Sequence, residues 1–338
     1  MILRIEHETR LDYSEPVIEH VFELRMAPSS DEDQTTLGCR IQVTPSGTST
    51  TYLDGFGNRV ELLNIMSSGK SVVVRATSFV RTHRRPALDR FGDTLTTAMV
   101  ESAQTHVDAI EFLQSSPLLR PCPALDTILA ECAAPMDGLV LNTITHIREF
   151  VHKSMRYSKD TTNAATGLSE IVEHRSGVCQ DFAHLMIAMC RKLGIPARYV
   201  SGYAHQVCNQ AAEVATHAWC QVWIGANEGW VDVDPTHNLF PQDHHVVTAV
   251  GRDYSDVPPN RGAWKGEADE TMTVMVKVET AARLPADWIV ADTMPSRSTP
   301  VRPYSPFRIN PGVRRAIGLA QQQRNLLRQQ QQQQQQQQ

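Results

Sequence analysis

None of the seven cysteines (Cys39, Cys122, Cys132, Cys179, Cys190, Cys208 and Cys220) sits in a CxxC pair, and an odd, scattered set gives neither a disulfide framework nor a zinc knuckle. No stretch approaches the roughly 18 consecutive apolar residues of a membrane-spanning helix. The opening MILRIEHETRLDYSEPV alternates charged and apolar residues where a secretion signal would carry an apolar run. These absences lead to the expectation of a soluble, cytoplasmic protein in a reducing compartment, with no membrane partner. Acidic residues nowhere take the regular oxygen-ligand spacing of an EF-hand loop, so no calcium site, other metal or cofactor is expected.

What is present points to two kinds of chain. The 338 residues exceed what one compact core usually organises, suggesting about two domains and a remainder. Hydrophobic residues at 41% and charged residues at 20% are ordinary globular values, yet thirteen of the last eighteen residues are glutamine. The formal charge of -5 is also a composite, because residues 293–338 carry seven arginines and no acid, which leaves about -12 on the rest. The tail has too few apolar residues to offset the entropy of ordering, so disorder is expected from about residue 293. Its arginines lack interleaved aromatics or a basic helix face, and no nucleic-acid partner is expected.

Residues 1–82 read as an antiparallel β unit: CRIQVTP, STTYLDGFGNRVELLNI and KSVVVRATSFV are strand-like runs, with DGFGN as a glycine-rich hairpin turn. Residues 83–137 follow as a connector and a helical segment, with VESAQTHVDAIEFLQSS moderately amphipathic. Residues 138–280 read as the catalytic core and 281–338 as the tail. In the core, DGLVLNTITHIREFVHKSMRY has apolar residues at helical spacing, and LSEIVEH is a short helix. After a Ser-Gly break a helix is expected from Cys179 to about Leu193, ended by Gly194 and Pro196. ARYVSGY, HAWCQVWI and GWVDVDPT are short strands, and MTVMVKVET adds another. The fold class is therefore α+β.

The chemistry concentrates in that core. Cys179 opens its helix, where unpaired amide groups and the dipole favour a thiolate, the nucleophilic form. A thiolate needs a base, commonly histidine, held by a carboxylate or amide. Strand alternation places His217, Trp219, Gln221 and Trp223 on one face, and Trp230, Asp232 and Asp234 on one face of the next strand. Directly opposed side chains lie roughly 5 Å apart, so either Asp232 or Asp234 can meet His217. His184, on the polar side of the cysteine helix with Asp181 and Arg191, reads as structural or solvated. His237, His244 and His245 cluster with Asp243, a grouping that suggests metal binding, but a metal site needs ligands on fixed supports and DPTHNLFPQDHH reads as a loop, so no metal role is expected of them. Trp219, Trp223 and Trp230 suit either an acyl channel or the core.

SGVCQDFAHL, then HAWCQVWI, then GWVDVDPTHN resembles, in this order, the transglutaminase-like superfamily, a branch of the papain-like cysteine enzymes. The β-rich start with its LDGFGN turn is similar to the N-terminal domain of bacterial transglutaminase-like proteins, and GRDYSDVPP also fits their pattern. The resemblance spans about residues 1–280. It implies an N-terminal antiparallel β domain and a core in which a helix carrying the cysteine packs on an antiparallel sheet carrying the histidine and aspartate. It makes Cys179 the nucleophile, His217 the base and Asp234 its orienting partner. Asp232 and Trp219 then fall behind the triad, and Tyr157, in MRYSKD, is a candidate oxyanion donor beside the Cys179 amide. The implied activity is cleavage of an amide, peptide or isopeptide bond in a protein or peptide substrate through a thioester, with hydrolysis favoured over crosslinking. Acyl transfer to an amine, or a peptide-binding module without turnover, are the alternatives.

Overall fold

The computed structural model describes residues 1–84, 106–135, 140–159, 161–205, 216–225, 229–286 and 288. Residues Met1–Met294 form one unit, and a second, Pro295–Gln338, lies outside the described residues together with the expected disordered tail. Strand β1 (Ile2–Leu24) organises the first half, because its inward side chains alternate as the pleat requires: Leu3, Ile5, His7, Thr9, Leu11 and Tyr13 are buried. Over its first half β1 pairs antiparallel with β5 (Gly69–Thr82) on one side and β13 (Glu270–Thr280) on the other. Over its second half it pairs with β4 (Arg59–Ile65) and β12 (Asn260–Lys265). The register breaks between these halves, and Glu19 takes a left-handed φ of 53° there. Strands β2 (Gln34–Thr44) and β3 (Thr48–Leu53) complete a seven-stranded sheet.

The turn between β3 and β4 is the expected DGFGN. Asp54 Oδ1 accepts from the Phe56 and Asn58 amides at 3.0 and 2.9 Å, and Gly57 supplies the positive φ of 76°. The strand read at 271–280 is β13, but it joins the N-terminal sheet and not the sheet of the core. Residues 138–280 therefore contribute to both halves of the fold.

The core sheet is antiparallel in the order β10 (Gly229–Val233), β9 (Thr216–Gly225), β8 (Ala197–Ala204), β11 (His245–Gly251). β11 begins at His245, the last residue of DPTHNLFPQDHH, which reads as a loop. Helices α1 (Val107–Ile110), α2 (Pro123–Cys132), α3 (Val140–Ser154), α4 (Leu168–His174) and α5 (Cys179–Lys192) occur among the described residues. The helix expected across 100–116 is one turn plus a 3-10 turn over Glu111–Leu113: extended Gln114 precedes Ser115-Ser116-Pro117, and proline disfavours helix in the residue before it. Its first residues lie outside the described set. α2 has its own local marks, with Pro123 at its first turn and Leu125, Ile128 and Cys132 at helical spacing.

α5 packs on one face of β9, sharing a core with Ala218, Cys220, Val222 and Ile224. Leu185, Met186, Ile187 and Met189 are fully buried, each contributing about 1.5–3 kcal/mol of burial free energy. The opposite face of β9 puts Trp219 among Val200, Val247 and Val250. The polar side of α5 is also buried. His184 is fully enclosed, its Nε2 accepts from the Tyr254 amide at 3.1 Å, and burial pushes its pKa down to about 4. Arg191 donates to the Ala197 and Arg252 carbonyls at 2.9 and 2.7 Å. This face braces the GRDYSD segment from inside, which a solvated reading misses. No helix among the described residues is long and apolar enough to cross a membrane.

Candidate active site

Cys179 stands at the start of α5, after the two-residue parallel pair β6 (Arg156–Tyr157) and β7 (Ser176–Gly177). The local sequence shows why the helix begins there. Asp181 folds back so that its Oδ2 accepts from the Val178 amide at 2.7 Å and from Thr162 Oγ1 at 2.6 Å. A side chain at Gly177 would collide with that carboxylate, so glycine is required two positions before the cysteine. Burial raises the pKa of Asp181 despite these donors.

His217 comes from β9, beside the end of β10. β10 stops at Val233, and Asp234 closes a turn back onto Leu239, with N–H···O bonds of 2.9 and 3.1 Å between their backbones. The Asp234 side chain, fully buried, accepts from His217 Nε2 at 2.8 Å. Its other oxygen accepts from the Thr236 and His237 amides at 2.9 and 3.2 Å, which fixes the carboxylate plane. With Nε2–H committed to Asp234, a neutral His217 ring carries its free lone pair on Nδ1. Burial opposes charge on His217, but Asp234 and the nearby Cys179 outweigh it and raise its pKa to about 10. Asp234, opposed likewise by burial, is held well below the usual carboxylate range by His217 and its other donors.

Cys179, His217 and Tyr157 line one cavity of about 1180 Å³, together with Gln180, Tyr199, Thr216 and side chains of β1 and β13. The cavity thus opens between the core and the N-terminal sheet. Tyr157 is 53% exposed and is no core aromatic. Trp219, Trp223 and Trp230 do not line the cavity: Trp219 is in the core, and the other two pack edge to face at 5.3 Å beside Ala109. Asp232 does not touch His217. Its Oδ1 accepts from Trp219 Nε1 and Gln221 Nε2, and its Oδ2 lies 3.5 Å from Nε of the buried Arg84. Trp219 in turn stacks on His217, with ring centroids 5.8 Å apart and planes 25° apart.

Two further histidines, which the sequence groups but does not bring to the triad, belong to this site. His237 Nδ1 and His245 Nε2 also reach Asp234 Oδ2, at 2.8 and 3.2 Å. The ligand atoms of His217, Asp234, His237 and His245 all lie within 4.8 Å of one another, a set able to hold a metal ion. Burial lowers the pKa of His245, and Asp234 only partly offsets it. His244 points elsewhere and stacks on His205. Only the recurrence of histidine in DPTHNLFPQDHH hinted at the grouping.

Comparison with known proteins bears on the family and the fold. Residues 3–81 match the family described as bacterial transglutaminase-like N-terminal region, and residues 128–235 match the transglutaminase-like superfamily core. A Mycobacterium leprae (strain TN) protein is 29% identical over 288 residues, covering 83% of this chain and 99% of that protein. The protein-glutamine gamma-glutamyltransferase of Pseudomonas aeruginosa is 33% identical over 104 residues, 28% of this chain but 15% of that enzyme. Among solved structures, a candidate cysteine protease from Cytophaga hutchinsonii superposes with a TM-score of 0.67 at 25% identity, covering 84% of this chain and 93% of that one. With both regions present in this order, the chain belongs to the transglutaminase-like superfamily, a bacterial transglutaminase-like N-terminal region preceding its core.

Proposed function

We propose that this chain is a thiol enzyme that cleaves an amide, peptide or isopeptide bond of a polypeptide substrate by hydrolysis. The observation that carries the reading is the 2.8 Å contact of His217 with Asp234 in the wall of the cavity that also holds Cys179. The thiolate of Cys179, beside the His217 imidazolium whose Nδ1 holds the proton, attacks the substrate carbonyl. The Cys179 amide, in the first turn of α5 where helix amides lack an intrahelical acceptor, and the Tyr157 hydroxyl in the same cavity are the donors for the developing oxyanion. His217 then protonates the departing amine and a thioester remains. Water, losing a proton to His217, releases the acid and restores the thiolate. Asp234 keeps the Nε2 proton in place throughout and stabilises the imidazolium.

An amine attacking the same thioester would make the chain a protein-glutamine acyltransferase, and the match to the Pseudomonas enzyme favours that reading within the core segment alone. Likeness to the Cytophaga protein over most of both chains favours hydrolysis. The deciding experiment traps the Cys179 thioester from a peptide library and follows its breakdown with and without an added primary amine. Acid as the main product in both supports hydrolysis, amide as the main product establishes transfer, and no thioester on the wild type ends both readings.

A further inference from the structure

Three imidazoles and one carboxylate oxygen converge on a single point in the core. Asp234 Oδ2 faces His217 Nε2, His237 Nδ1 and His245 Nε2 at 2.8, 2.8 and 3.2 Å. A carboxylate oxygen has about two lone-pair sites, so three ring N–H donors oversubscribe it. His245 is 1% exposed, and among the described residues its Nδ1 has no hydrogen-bond partner, so the ring's polar contact is the one aimed into the cluster. Neither proton transfer nor orientation of His217 needs three histidines on one oxygen.

We propose that His217, Asp234, His237 and His245 form a binding site for a divalent transition-metal ion of the Zn2+ type, and that occupancy switches the thiol chemistry off. The donor set, three imidazole nitrogens and one carboxylate oxygen, is the kind that Zn2+ takes. At Zn–N distances of about 2.0–2.1 Å, tetrahedral ligand atoms sit roughly 3.3 Å apart. The three nitrogen-to-oxygen separations of 2.8, 2.8 and 3.2 Å are already near that, while the widest separation in the group, within 4.8 Å, has to contract. His237 can supply that movement and a route from solvent, because it lies in the turn after β10 and its side chain is 23% exposed. The other ligands are fixed: His217 on β9, His245 on β11, and Asp234 by the Thr236 and His237 amides on its second oxygen.

Coordination requires a bare lone pair on each ligating nitrogen. A neutral ring moves the proton from that nitrogen, through solvent, to its other one; an imidazolium keeps the proton it carries there and releases one. His217 coordinated through Nε2 then keeps a single proton on Nδ1, and passing it to the departing amine would leave an imidazolate, so the ring no longer serves as the acid that completes thioester formation. Metal binding stands independently of the hydrolase reading, whereas the inhibitory consequence rests on it.

The test measures Zn2+ binding by full-length Cys179→Ala protein, which removes the thiolate as a competing ligand and needs no turnover. One bound equivalent is expected, with affinity falling more than about 30-fold on adding His245→Gln and about 10-fold or more on adding His237→Gln. Co2+ should give four-coordinate d–d absorption without a sulfur charge-transfer band. If His245→Gln fails to fold, the turn variant His237→Gln carries the comparison. Absence of a bound equivalent, or affinity unchanged by both histidine variants, overturns the site. In wild type, Zn2+ should block thioester formation from the peptide library and EDTA should restore it; undiminished thioester formation with the site occupied overturns the switch while leaving the site.

Discussion

The indole N–H of Trp219 donates to Asp232 Oδ1 at 2.5 Å, so the ring stacked on His217 is anchored by the aspartate that His217 does not touch. The two aspartates of WVDVD therefore have separable effects. Asp234→Asn, whose oxygen stays on the Thr236 and His237 amides and so directs its NH2 at His217, is expected to lower kcat on the order of 10³–10⁴-fold, as an aspartate-to-asparagine change does in a serine-protease triad. Asp232→Asn retains an acceptor for Trp219 but removes a charge facing buried Arg84, so it should lower the melting temperature and cost kcat about 10-fold at most. Steady-state kinetics and thermal melts of both variants check this. The reverse ranking of kcat would assign the triad carboxylate to Asp232.

Stability should depend on pH through His217. Its pKa rises on folding from the ordinary 6.5 to about 10, because Asp234 outweighs the desolvation of the buried ring. A group bound more tightly to its proton in the folded state contributes fully below its unfolded pKa, here 6.5, and loses that contribution as pH climbs to about 10. The Asp234 carboxylate, depressed on folding, contributes above the ordinary value of 3.8 and loses its contribution as pH falls toward its folded pKa. The melting-temperature deficit of His217→Gln should therefore be largest between these limits, near pH 5–6, and shrink toward pH 10. A deficit constant from neutral pH to pH 10 would contradict a charged His217 in the folded state.

Alkylation should single out one thiol. Cys132, Cys190 and Cys220 are buried, and desolvation pushes the Cys190 thiol up to about 12 and that of Cys220 well above its ordinary value. Cys179 is partly exposed and opens onto the cavity. Limited iodoacetamide treatment followed by peptide mapping is expected to label Cys179 ahead of those three and of Cys39, whose thiol burial also raises. Equal labelling would remove the case for Cys179 as the nucleophile.

Local pattern carried much of this fold, and non-local pairing the remainder. The Ser-Gly break before Cys179, the alternation in HAWCQVWI and the Asp-Gly turn are written in adjacent residues, and each maps onto α5, β9 and the β3–β4 turn. Alternation alone left Asp232 and Asp234 equivalent; the difference arises because β10 ends at Val233 and Asp234 turns back onto Leu239. His245 could not be placed because its position depends on β11 pairing with β8, forty residues earlier, inside what composition presents as a loop. β12 and β13 return to β1 across the whole core, a pairing with no local signature. The polar face of α5 left structural and solvated readings open for a related reason, since a 3.6-residue period reports polarity but not whether another segment, here GRDYSD, covers it.

The free edge of β13 makes the last expectation specific. β13 pairs with β1 along one side, and among the described residues no strand pairs with its other side. Its Met272, Val274 and Met275 are 56%, 42% and 58% exposed and line the cavity that holds Cys179. Long edges with exposed apolar side chains invite pairing with another extended chain, and here such a chain would lie within the cavity that contains the nucleophile. A substrate segment bound this way gains backbone hydrogen bonds and apolar contacts remote from the scissile bond. Met275→Glu is then expected to lower kcat/KM for an extended peptide about 10-fold, mainly through KM, while the rate of Cys179 alkylation by iodoacetamide stays unchanged. Equal losses for the peptide and the small reagent would mean that the substitution disturbs Cys179 itself, and no loss for the peptide would exclude β13 as the substrate's docking edge.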